Sequence, residues 1–146
     1  MTRRILHPSD FSAASNAAFK KAIDMAKLSR AQLLVAHVIS PIVPVPGDGY
    51  VSPKVYDEIA ASTRAWAQKQ LNSLLAQAKK ARVRAKGFLL EGVPHERIVR
   101  FAKSKRVDLV VMGTHGRTGL AKLFVGSVAA RVVAAAPCPV LTVRGK

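Results

Sequence analysis

Cysteine is nearly absent from this chain, with Cys138 the single one. An internal disulfide is therefore excluded, and a reducing, cytoplasmic setting is the expectation. Aromatic residues make up only 5% of the sequence, so platforms on which bases could stack are scarce. No apolar run approaches the roughly 20 residues of a membrane-spanning helix. The first residues lead into a strand-like segment and lack the apolar core and cleavage site of a secretory signal. His7, His37, His95 and His115 show no metal-ligand spacing and no cysteine partner, so a zinc site is not expected. Neither Gly-x4-Gly-Lys-Ser/Thr, Gly-x-Gly-x-x-Gly nor Gly-x-Ser-x-Gly occurs. No serine, histidine and aspartate arrangement for nucleophilic catalysis announces itself. Cys138, between two prolines and without a basic neighbour in sequence, reads as a packed, inert thiol.

Acidic residues are also few: 8 Asp and Glu against 24 Lys and Arg, a formal charge of +16. Such a field attracts polyanions. The basic residues are spread along the sequence and do not alternate with aromatics. A solvated basic surface is therefore favoured over a nucleic-acid-binding one, which stays as the less favoured partner. What the chain does have is a core. At 146 residues and 49% hydrophobic content, 1–146 is expected to form one domain.

Arg4 to Pro8 reads as a short strand. Ser12 is the expected N-cap of a helix in which Ala14, Ala18, Ala22, Met25 and Ala26 recur at helical spacing. Gln32 to Ile39 is a near-continuous apolar run, as in a strand covered on both faces. A Pro- and Gly-containing loop follows, then a helix from about Lys54 to Ala81. Ile59, Trp66, Leu71, Leu74, Leu75 and Ala78 are expected on its buried side. Val83 to Glu91 partly alternates, which suits a strand near a sheet edge. Pro94 suits the first turn of a helix carrying Ile98, Val99 and Ala102 inward. Val107 to Met112 and Pro139 to Val143 read as further strands, with a helix over Val128 to Val133 between them. Strict alternation of strands and helices predicts a parallel sheet with helices on both faces.

The most informative stretch is Gly113 to Ser127, which carries Gly113, Gly116, Gly119 and Gly126 between a strand and a helix. Glycines let a backbone approach a ligand, and a helix N-terminus presents unpaired N–H groups and partial positive charge. Arg117 and Lys122 add charge to this loop, and His115 is the one histidine expected near a ligand. Ligands of such sheets sit beyond the carboxyl ends of the strands. Pro8-Ser9-Asp10 ends the first strand at that side. Asp10 has two readings of equal weight: acceptor for a ribose hydroxyl, or helix-initiating residue before Ser12.

These segments resemble the universal stress protein family. Ile5 to Ser12 is similar to its opening strand and turn, and Leu34 to Val38 to its second strand. Asp108 to Arg117 with Gly126-Ser127-Val128-Ala129 matches its signature Gly-x2-Gly-x9-Gly-Ser/Thr. Cys138 to Arg144 matches its closing strand. The resemblance implies an α/β fold with a five-stranded parallel open sheet and helices on both faces, Rossmann-like and adenine nucleotide alpha hydrolase-like. It also implies the ATP-binding subgroup of the family. By position, Pro8, Ser9, Asp10 and Val38 would surround adenine and ribose. Met112, Gly113, Gly116, Gly126, Ser127 and Val128 would hold ribose and phosphates, with His115 and Arg117 beside them. His7 departs from the small apolar residue more usual in the first strand.

The function this implies is a cytoplasmic stress-response protein that binds ATP, AMP or ADP, with Mg2+ held by the phosphates. Nucleotide state would change its conformation or partners. The alternatives are a slow ATPase or phosphoryl-transfer enzyme and a nucleic-acid-binding module driven by charge. Segment 139–144 is expected at a sheet edge, joining a homodimer.

Overall fold

The computed structural model describes residues 2–41, 51–114 and 126–145. Its elements, in order, are β1 (Arg4–Pro8), α1 (Ala13–Ser29), β2 (Gln32–Ile39), α2 (Pro53–Lys80), β3 (Ala85–Glu91), α3 (Pro94–Ser104), β4 (Leu109–Gly113), α4 (Ser127–Ala135) and β5 (Val140–Val143). The five strands pair in the order β3-β2-β1-β4-β5, and every pairing is parallel. β3 and β5 are the edges. The chain winds from β1 outward to β3, then returns to the far side of β1 to place β4 and β5. The strand order therefore reverses between β1 and β4.

Side chains on successive strand residues point to opposite faces, and each face is covered by helices. Ile5, Leu33, Val35 and Val111 pack with α1 and α2 residues such as Phe19, Leu71 and Leu74. Leu6, Leu34, Val110 and Met112 pack with Ile98, Phe101, Ala129 and Val132 of α3 and α4. Full burial of each large aliphatic side chain is worth about 1.5–3 kcal/mol. α1 begins as the sequence predicts: the Ser12 hydroxyl accepts from the Ser15 N–H. Alanines dominate its buried face, which lets the helix lie close to the sheet. Gly113 and Gly145 belong to the same contact. A Cβ on Gly113 would lie 3.0 Å from the Ala14 backbone, and one on Gly145 would lie 2.7 Å from its Cα.

Two expectations about α2 need correcting. Ile59 and Trp66 are 44% and 40% exposed, not buried; the buried face is Ala67, Leu71, Leu74 and Ala78. The reason is length. A helix of 28 residues runs for about 42 Å at 1.5 Å per residue. The strands it covers have five to eight residues, or roughly 17–26 Å. The amino-terminal half of α2 therefore overhangs the sheet, and periodicity alone could not show where the sheet stopped. Smaller shifts also occur: β3 begins at Ala85, β5 at Val140 and α4 at Ser127.

His7 is fully buried in β1. Its Nδ1 lies 2.9 Å from the Val111 carbonyl, to which it donates, while its Nε2 has no partner among the described residues. Burial pushes its pKa down to about 4, against smaller raising effects from the Val111 hydrogen bond and the Asp10 charge. Desolvation, followed by the charge of Asp108, raises the pKa of the Cys138 thiol, which keeps it protonated and unreactive.

Candidate functional site

β1 and β4 diverge into loops at the point where strand order reverses, and a cavity of about 320 Å³ opens there. Pro8, Ser9 and Asp10 line it from the end of β1, and Val38 lines it from β2. Met112 and Gly113 line it from β4, and Gly126, Ser127 and Val128 from the start of α4. The structure thus brings these nine sequence-predicted residues, from four separate elements, to one cleft. His115, Gly116 and Arg117 lie outside the described residues, as does Lys122.

The β1 loop is held by its own hydrogen bonds. Ser9 N–H donates to the Ala36 carbonyl at 2.8 Å, fixing the loop to β2. Ser9 Oγ accepts from the Phe11 N–H at 3.0 Å, and Phe11 takes a φ of 65°. Asp10 Oδ1 accepts from the Ser12 N–H at 2.9 Å and from Ser15 Oγ at 2.6 Å. The helix-initiating role of Asp10 is therefore real, and Asp10 also lines the cavity.

The α4 end supplies a different chemistry. Gly126 occupies the N-cap position and, among the described residues, no side chain caps the helix. The Gly126 N–H donates to the Thr114 carbonyl. The first intrahelical bond runs from the Ala130 N–H to the Gly126 carbonyl at 2.9 Å. The N–H groups of residues 127–129 thus precede the helical ladder, as at every helix start. Together with the helix dipole they make the cavity wall attractive to an anion. Part of the lining is apolar: Val38, Ile98 and Met112 offer a flat ring a place to lie.

Sequence reasoning missed several lining residues. Pro94 and Ile98 of α3 reach the cleft only through tertiary packing. The sequence points to His115 as the histidine near a ligand, yet His37 lines the cavity. Its Nδ1 donates to the Ser9 carbonyl at 2.7 Å, and its ring stacks on Phe11 at 4.4 Å between centroids. Trp66 meets the other side of this pair, edge-on to Phe11 at 5.5 Å. The only signal in sequence was the position of His37 beside Val38 at the carboxyl end of a strand. Gly113 lines the cavity and also leaves no room for a side chain beside Ala14.

An open parallel sheet with a cleft at its switch point, walled by a helix N-terminus, defines the broad class of α/β ligand-binding folds. The particular family follows from comparison. The model of the universal stress protein family matches residues 1–144, and the chain belongs to that family. It is 38% identical over 144 residues to universal stress protein MJ0531 of Methanocaldococcus jannaschii, covering 97% of this chain and 82% of that protein. The structure of universal stress protein UspA from Lactobacillus plantarum superposes with a TM-score of 0.85 at 28% identity, covering 98% of both chains. An Arabidopsis thaliana universal stress protein solved with AMP bound gives a TM-score of 0.72 at 22% identity, covering 99% of this chain and 92% of that one.

Proposed function

We propose that this protein binds an adenine nucleotide in the β1–β4 cleft, ATP first among them, and acts as a nucleotide-dependent regulator in the cytoplasmic stress response. The observation that carries the reading is an α4 N-terminus left uncapped by the described residues, lining the same cavity as apolar side chains. The first suits phosphate and the second suits a base. The family likeness to a protein solved with AMP supports the same reading. Pro8, Val38 and Met112 would contact base and ribose; Gly126, Ser127 and Val128 would hold phosphates. His115, Gly116 and Arg117 would complete the phosphate side, and magnesium would come held by the phosphates. Asp10 is the one carboxylate among the described lining residues, and its Oδ1 already serves Ser12 and Ser15. Any hydrolysis should therefore be slow. Nucleotide extracted from the purified protein and identified by mass tests the proposal; recovery of no adenine nucleotide, with no calorimetric binding of ATP, would reject it.

Asp10 allows a sharper test of pose. If its carboxylate accepts from a ribose hydroxyl, Asp10→Ala should weaken ATP by about 1.5–3 kcal/mol, and deoxy analogues by less. Asp10→Ala also removes the acceptor for Ser12 and Ser15, so titrations should be compared on variant shown to be folded. Equal losses for ATP and the analogues would leave Asp10 its structural role alone.

We further propose a homodimer joined through segment 139–144. In the β4–β5 ladder, Val110 N–H donates to the Pro139 carbonyl and Thr114 N–H to the Val143 carbonyl, each at 3.0 Å. Backbone groups alternate in direction along a strand, so Thr142 turns its N–H away from β4. The residues of β5 are all half-buried, leaving an edge for a second copy to cover. Light scattering should give twice the 15.7 kDa chain mass. Thr142→Pro should return it to the single mass, because the outward donor is lost while the β4 ladder keeps its bonds.

A further inference from the structure

Three helix ends of this protein share one construction. Arg30 after α1, Arg82 after α2 and Arg106 after α3 all take left-handed backbone, with φ of 55°, 63° and 51°. At each, the following N–H closes back onto the helix: Ala31 to Ala26 at 3.0 Å, Val83 to Ala78 at 2.9 Å and Val107 to Ala102 at 2.9 Å. Those following residues are buried against the core. Glycine is the usual occupant of the left-handed position in this motif, because a Cβ is disfavoured there. Here arginine stands at all three, against the backbone preference.

The three ends lie on one edge of the molecule. Helices that cross back over a parallel sheet end where the next strand begins, so α1, α2 and α3 finish at the amino ends of β2, β3 and β4. Backbone bonds tie these entry points into a row. Leu33 N–H donates to Arg84 at 2.8 Å, Gln32 to Arg3 at 2.9 Å and Asp108 to Arg4 at 2.9 Å. The row follows strand order from β3 to β4, roughly 14 Å across four strands. Its arginines are all exposed. Beside β3 the edge is hollowed into an open depression lined by Lys79, Arg82 and Arg84.

Lysines in the last helical turns, Lys27, Lys79, Lys80 and Lys103, have an ordinary explanation in the helix dipole. The arginines, at or just past the helix ends, share that explanation in part, but the dipole does not call for a left-handed arginine where glycine fits better. Nor are they neutralised. Among the described residues the ion pair is Arg64 with Glu91 at 3.2 Å, and Glu91 closes β3 at the opposite end of the sheet. Asp108 is the carboxylate within the row, and it accepts the backbone N–H groups of Arg3 and Arg4 at 2.8 and 3.0 Å. Asp24 lies a turn before Lys27 on α1. The charge of this edge is strongly positive.

We propose that this amino edge binds the phosphate backbone of double-stranded nucleic acid without regard to base sequence, at the opposite end of the sheet from the nucleotide cleft. A dense row of arginines suits a dense row of phosphates, since the guanidinium fork matches phosphate oxygens. A duplex suits it better than a single strand, because the described residues of this edge offer no open ring face for bases to stack on. Phe88 and Phe101 pack edge-on against each other at 4.9 Å, beneath the Lys105 ammonium. An anionic membrane suits it less. Among the described residues the large apolar side chains exposed toward this edge are Leu28 and Val133, on helices covering opposite faces of the sheet, and these two form no continuous apolar surface to enter a bilayer.

The test uses the full chain and two labelled duplexes of unrelated sequence, followed by fluorescence anisotropy across a salt series. Saturable binding should be similar for both, with a dissociation constant of about 1–100 µM at physiological salt. The combined variant Arg30→Gly, Arg82→Gly and Arg106→Gly should fold, since glycine relieves each left-handed position. It should bind at least tenfold more weakly, with a salt dependence shallower by roughly two to three in log–log slope. Lys20→Gln, Lys21→Gln and Lys69→Gln together remove the same charge elsewhere and should leave affinity within twofold. Equal loss in both triple variants, or no saturable duplex binding at low salt, would overturn the proposal. So would tighter binding to a single strand of equal length, or loss by the glycine variant of binding to phosphatidylserine vesicles but not to duplex.

Discussion

Gly126→Asp is expected to lower ATP affinity at least about tenfold, or ~1.4 kcal/mol, in a protein that keeps its fold. Gly126 is the N-cap of α4, and no side chain of the described residues occupies the capping role. Aspartate is among the best residues at that position, because its carboxylate accepts from the N–H groups one turn on. The substitution therefore satisfies the helix by itself. In doing so it takes the donors that a phosphate would use, and adds a negative charge where phosphate must come. Both effects act on the ligand and neither on the core. A calorimetric titration of ATP into wild type and variant reads the affinity, and thermal melting reads the fold. Unchanged affinity in the folded variant would remove the α4 terminus from the site. Lost affinity with unchanged duplex binding would show that cleft and arginine edge act separately.

The sequence carried the fold through patterns that repeat locally. Gln32 to Ile39 is apolar on both faces because β2 lies inside the sheet, and Val83 to Glu91 alternates because β3 lies at its edge. Ser12 and Pro94 marked helix starts through their own capping and backbone chemistry. The cleft was legible where its walls lie next to strand ends, as with Pro8-Ser9-Asp10 and Met112-Gly113. It was not legible where a wall arrives from another layer. Ile98 reads as core, and nothing local says that it also faces a cavity. The overhang of α2 was hidden for the same reason: Ile59 and Trp66 keep helical spacing whether or not a sheet lies beneath them. The three arginines after the helices were visible only as scattered charge. Their left-handed backbone, and the strand order that lines them up, belong to the tertiary structure.

His7 should make folding stability depend on pH across the acidic range. In the folded protein its ring is neutral and fully buried, with a pKa pushed down by desolvation to about 4 from an ordinary value of 6.5. The unfolded chain takes up the proton below 6.5, and the folded one does not until about 4. The unfolded state therefore binds more protons in this window, and stability falls as pH falls. The contribution is fully present above pH 6.5 and lost by about pH 4. At 1.36 kcal/mol per unit the whole effect is about 3 kcal/mol, of which about 2 kcal/mol is gone by pH 5. His7→Leu removes the titration and also the unpartnered Nε2, while nearly keeping the volume packed against Phe19, whose ring lies 5.6 Å away. It forfeits the bond to the Val111 carbonyl, worth about 1 kcal/mol. Near pH 7.5 the variant should then lie within about 1–2 kcal/mol of wild type. At pH 5 it should be the more stable of the two. Denaturant unfolding of both proteins at each pH measures the crossing. Parallel curves, with the same pH dependence in wild type and variant, would mean that His7 is not what acid attacks first in this fold.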